Sequence, residues 1–180
     1  MKLRTGWAIV LMIILVVGGV VIGAYRGWTD ERAPVNETYK GLESMLQTRI
    51  ESAYNVLAVA KRYPGPETDE AYQKVEADLK QLENASASLS EKAKANDALA
   101  QDASALLSAL KNLSAVQQDS RDKMYVESYL PQMLSQSEAK TEGAAYNQAA
   151  KEFNSRMRGT FSGMIARLLG IKPAEEFQAK

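Results

Sequence analysis

The chain contains no cysteine and no histidine. Their absence excludes disulfide frameworks, thiolate nucleophiles, cysteine or histidine metal sites and imidazole acid–base chemistry. There is also no excess charge of either sign. Lys+Arg and Asp+Glu both number 22, so nothing marks the chain as a binder of nucleic acid. Proline and glycine are sparse at 5 and 11 of 180 residues, which leaves few interruptions to regular structure. No glycine-rich phosphate loop, nucleophile elbow or calcium-loop spacing occurs. Carboxylates alone remain for catalysis. Two-carboxylate chemistry needs groups held across a cleft with one pKa raised. Glu67, Asp69 and Glu70, near an expected helix start, and Glu175 and Glu176, in the tail, suit caps and solvent better. The reading is of a non-enzyme with no cofactor and no metal.

What is present begins with an apolar run. Residues 7–25 carry no charge over 19 positions, and as a helix they extend about 28 Å, close to the hydrocarbon thickness of a bilayer. Trp7, Tyr25 and Trp28 stand at its ends, where aromatic rings favour headgroups. Lys2, Arg4, Arg26 and Arg32 flank it. A transmembrane helix over 7–26 is expected, after a tail of residues 1–6. A cleaved signal peptide is the alternative, but the run exceeds the ~7–15 residues usual for its apolar core. The flanking charges nearly balance. The short basic tail favours a single-pass chain in the cell membrane with its soluble part outside the cytoplasm. Gly18, Gly19 and Gly23 would let a second helix approach closely, so a homo-oligomer is one of the partner readings.

After a polar connector over 27–34, Ala, Leu, Glu, Gln, Lys and Ser dominate, the composition of helices. Apolar residues recur in steps of three and four: Val35, Tyr39, Leu42, Leu46, Ile50, Ala53, Leu57 and Ala60 form one stripe. Pro64 and Pro66 end that helix. Thr68 or Asp69 is the expected cap of a second, with Tyr72, Val75, Leu79, Leu82, Ser86, Leu89 and Ala93 on one face. A tight link is expected over 94–97, capped by Asn96. The third stripe runs Leu99, Ala103, Leu106, Leu110, Leu113. Residues 117–135 read as a loop or bent helix broken by Pro131, and a fourth long helix is expected over 135–158. The fold class is all-α: an N-terminal transmembrane helix followed by an elongated antiparallel four-helix bundle, with the bundle domain over 35–180.

The end of the chain has its own character. Tyr146-Asn147 and Phe153-Asn154 repeat an aromatic–asparagine pair seven residues apart. The stretch over 159–163, with Gly159 and Gly163 at its ends, is expected to break the helix. A dense apolar segment over 161–171 begins within it, and a Gly170-Ile171-Lys172-Pro173 turn and Phe177 follow. This pattern over 146–177 resembles the C-terminal signature of the LemA family, whose members are bacterial membrane-anchored helical proteins. The amino half is a looser match. The Arg-Arg-x-Asp-Leu-Ile-Pro-like stretch of the family is missing, with Lys61-Arg62-Tyr63-Pro64 at best a remnant. The resemblance implies a membrane-tethered four-helix bundle and carries no catalytic role.

The singled-out residues fall into two groups. Tyr146, Asn147, Phe153 and Asn154 are expected to fix helix register or clamp the C-terminal segment, because a buried amide demands partners. A ligand-contacting pair and simple exposure are the alternatives. Phe161, Met164, Ile165, Arg167, Leu168, Leu169 and Ile171 either plug one end of the bundle or lie on lipid with Arg156, Arg158, Arg167 and Lys172 near anionic headgroups. From these come the functional expectations: a scaffold or adaptor binding an unidentified protein partner through the bundle surface, or a lipid-sensing or membrane-remodelling module using the C-terminal apolar segment.

Overall fold

The computed structural model describes residues 2–179, with residues 2–6, 66 and 67 described by their backbone alone. Helices α1 (Lys2–Glu31), α2 (Ala33–Ala60), α3 (Pro66–Glu83) and α4 (Leu89–Asn112) come first. Short helices α5 (Ser114–Gln118) and α6 (Ser120–Met124), a π-helical turn (Tyr125–Tyr129) and α7 (Leu130–Gln136) follow. Then come α8 (Lys140–Gly159) and α9 (Phe161–Leu168). No strand occurs among the described residues. The chain divides into two units, Met1–Glu37 with Gln148–Ala174, and Thr38–Asn147 with Glu175–Lys180. α2 and α8 contribute to both.

In the first unit, α1 shows why 7–25 lack charge: Trp7 is 68% exposed, Leu15 68% and Ile22 58%. A single helix cannot bury such a surface in water, and α1 is long and apolar enough to cross a membrane. It does not end where the apolar run does. The Arg32 backbone N–H donates to Trp28 at 3.2 Å and that of Asn36 to Arg32 at 3.1 Å, so the expected connector over 27–34 is helical. Pro34 stands in the first turn of α2, where its missing N–H costs little. Trp28 was expected to face headgroups. It is buried instead, edge-on to Phe153 at 5.8 Å. The side chains of Lys2, Arg4 and Glu67 lie outside the described residues.

In the second unit the striped positions form the core. Leu42, Val56, Val75, Leu79, Leu99, Leu106 and Leu110 are all but fully enclosed, each contributing about 1.5–3 kcal/mol by leaving water. The boundaries between helices differ from expectation. α3 starts on Pro66 in the first turn with no side-chain cap. Thr68 is buried and donates its hydroxyl to the Tyr63 carbonyl at 2.9 Å, tying the turn together from within. The link expected at 94–97 lies earlier. Asn84 ends α3, and Ser88 starts α4 with a capping box, its hydroxyl accepting from the Glu91 N–H while Glu91 accepts from the Ser88 N–H at 2.7 Å. Asn96 is therefore buried mid-helix. Pro131 was expected to break or kink the helix, which instead runs on through it. The π-helical turn over Tyr125–Tyr129 passes straight into α7, with Tyr129 and Leu130 both in αR backbone, so the irregularity falls in the turn before the proline. α8 starts at Lys140, five residues later than the expected 135.

Candidate functional site

The two aromatic–asparagine pairs both hold the C-terminal tail, one in each unit. In the second unit, the Asn147 Nδ2 donates to the Phe177 carbonyl at 2.8 Å while its Oδ1 accepts from the Phe177 N–H at 2.7 Å. Tyr146, edge-on to Tyr39 at 5.8 Å, donates its hydroxyl to the Glu175 carbonyl at 2.7 Å. The Phe177 ring lies where a Cβ on Gly143 would stand, at 3.1 Å. Ser90, in the first turn of α4, donates its hydroxyl to the Gln178 carbonyl at 2.9 Å.

The first unit repeats the arrangement. Asn154, 6% exposed, donates to the Ala174 carbonyl and accepts from the Ala174 N–H, both at 2.8 Å. A primary amide thus replaces the ladder partner that an irregular tail lacks. Phe153 is enclosed by Trp28 and by the Arg32 guanidinium, which stands 5.6 Å from its ring centre and donates to the Lys172 carbonyl at 2.9 Å. Arg156 pairs with Glu31 at 2.6 Å.

α9 completes the first unit, packed against α1. Thr160 caps it by accepting from the Gly163 N–H at 3.1 Å. Gly163 presses against the Met157 backbone, which any Cβ there would strike. At the other end Gly170 takes φ +89°, with its N–H on the Arg167 carbonyl and the Ile171 N–H on the Ala166 carbonyl. These are the two bonds of a Schellman stop. At 100° per residue, Phe161, Met164, Ile165 and Leu168 share one face and Gly163 and Ala166 the opposite one. Gly163 and Ala166 are the buried pair. Phe161 is 73% exposed, Met164 53%, Leu168 84% and Leu169 37%, while Ile165 and Ile171 are half-buried and Arg167 is exposed. The helix faces the protein with its smallest residues and the outside with its largest apolar ones.

Several residues passed over in the sequence prove central to the second unit. Asp122, 1% exposed, pairs with Arg62 at 2.8 Å and accepts from the Tyr63 hydroxyl at 2.8 Å. Burial first and that bond second push the Tyr63 phenol up to about 12. Asp78 of α3 and Asp102 of α4 meet as a pair. Burial, then the hydrogen bond and charge of Asp102, raise Asp78 to about 6. Neither aspartate lines the cavity that Arg49 lines. No cluster of three or more acidic side chains placed to hold a metal occurs among the described residues.

The fold and site define an all-helical protein with an N-terminal helix long and apolar enough for a membrane and a tail pinned by side-chain amides. Residues 38–180 match the sequence model of the LemA family, and the chain belongs to that family. No curated protein sequence matches it.

Proposed function

We propose that this chain is a non-enzymatic, single-pass membrane protein whose helices after the span form an antiparallel four-helix bundle, and that α9 seats it on the bilayer surface as a lipid-contacting module. One observation carries the reading: the reversed amphipathicity of α9. A plug would bury Phe161, Met164 and Leu168, and these are the side chains that α9 leaves outside. Burying three such side chains in acyl chains is worth about 5 kcal/mol. Arg158, Arg167 and Lys172 are exposed on or near the same helix, each worth about 1 kcal/mol against anionic headgroups. Placing the domain outside the cytoplasm puts Lys2 and Arg4 on the inner side of the span.

The lack of cysteine makes the test direct. A nitroxide on Leu168→Cys in the full-length protein, reconstituted in anionic liposomes, should relax faster with oxygen than with a water-soluble nickel chelate. The same label on Ser155→Cys, exposed on α8, should show the reverse. Equal chelate access at both positions would sink the lipid reading. Protection of position 168 from both reagents would mark a protein contact there and favour the adaptor reading.

A further inference from the structure

The second unit holds a cavity of about 470 Å³ between α2, α4, the π-helical turn and α7, within the size range of small-ligand sites. Arg49 lines it and is 3% exposed. Its Nη1 donates to the Leu134 carbonyl at 3.0 Å, capping the end of α7. Its Nε has no partner. A guanidinium carries five N–H donors, and one carbonyl is the whole of its hydrogen bonding among the described residues. Glu138 and Asp97 act on it only through space, while burial pulls its pKa down. Capping α7 accounts for one donor and leaves a buried cation with no hydrogen-bonded anion.

The remaining lining says what would. Lys111 adds a second cation. Glu127, which accepts from Gln117 at 3.2 Å, and Glu138, which pairs with Lys140 at 3.2 Å through one oxygen, add two carboxylates, so the four lining charges cancel. Ser104 and Ser108 spend their hydroxyl hydrogens on the Ala100 and Ser104 carbonyls at 2.7 and 2.9 Å, leaving their oxygens as acceptors. Leu107, Val126 and Leu134 supply apolar wall. Val126 and Glu127 come from the π-helical turn, where the Leu130 N–H bonds the Tyr125 carbonyl five residues back. Such turns are rare and recur at functional sites.

We propose that this cavity binds a small zwitterion of the amino-acid class, with its carboxylate on Arg49, its ammonium toward Glu138 and Glu127, and an aliphatic side chain against Leu107 and Val126. The assignment is independent of what α9 touches. A purely anionic ligand such as phosphate would meet two glutamates, and a purely cationic one would leave Arg49 as it is.

Calorimetric titration of the full-length protein in nanodiscs with L-leucine tests it. Saturable binding is expected, weakened about tenfold or more for 4-methylpentanoate, which lacks the ammonium, and for isoamylamine, which lacks the carboxylate. Ala100→Phe adds a ring to the cavity lining while keeping Arg49 in the sequence and should abolish binding. Glu138→Gln, on the rim, should weaken leucine but not 4-methylpentanoate, and serves where the larger substitution fails to fold. No saturable binding of leucine at about 10 mM would overturn the proposal. So would phosphate binding as tightly as leucine, or leucine binding that survives both substitutions.

Discussion

An asparagine side chain carries the donor and acceptor of a peptide group, and Asn154 uses both on one residue of the tail. Replacing it with alanine strips the N–H and carbonyl of Ala174 of their partners in a buried place. The expected loss is about 2–3 kcal/mol in urea unfolding of the micelle-bound protein. Asn154→Asp keeps the size but turns the donor toward Ala174 into a second acceptor, and should cost at least as much above neutral pH. If Asn154→Ala unfolds within about 0.5 kcal/mol of the parent, the amide is not a clamp. The aromatic–asparagine repeat marks these side chains in the sequence, but nothing there names residues 174 and 177 as what they hold. Seven residues of helix and three of extended chain both advance about 10 Å, so a repeat of seven suits tail residues 174 and 177.

At the scale of elements, the corner between α8 and α9 depends on one missing methyl group. Gly163→Ala places a Cβ against the Met157 backbone, which has no flexible end to yield. A loss of about 2–4 kcal/mol is expected, with Ser162→Ala beside it, at an exposed position, near neutral. Parallel unfolding of the two variants separates the contact from a general intolerance of α9.

The α3–α4 contact is a second case. The Asp78 pKa rises to about 6 from an ordinary 3.8, so the fold favours the protonated form. The stability this provides is complete below about pH 4 and is lost as pH climbs through about 6. Lys74, paired with Glu70, also acts on Asp102, the partner in this contact. Asp78→Asn should therefore raise stability at pH 7–8, on the order of 1 kcal/mol. That advantage should fade toward pH 4, read as melting temperature against pH. A constant difference across that range would show that the pair does not share a proton.

For the whole molecule, the periodic stripes gave the helices, because burial on one face leaves a three-and-four pattern whatever surrounds it, and the apolar run gave the long N-terminal helix. Links were harder. The chain turns at Ser88 through a capping box, yet Leu89 and Ala93 continue the spacing of α3, and the stripe masked the break. Pro131 looked like a helix breaker because the sequence does not show the π-helical turn that leads into it. Arg49 sits one residue before a core isoleucine and reads as a solvated charge. Its enclosure comes from tertiary packing, with the Leu134 carbonyl of α7 as its partner.

The same limit governs α9, whose sequence pattern is amphipathic in the ordinary way while its packing is inverted. Its inner positions, Gly163 and Ala166, are restricted by volume, so a larger residue is excluded there however apolar. Its outer positions, Phe161, Met164 and Leu168, tolerate changes of shape yet reject charge if the lipid contact holds. Substitution tolerance on this helix then runs opposite to that of a water-facing one: the outside is held to the chemistry of a core, and the inside to the size of a glycine.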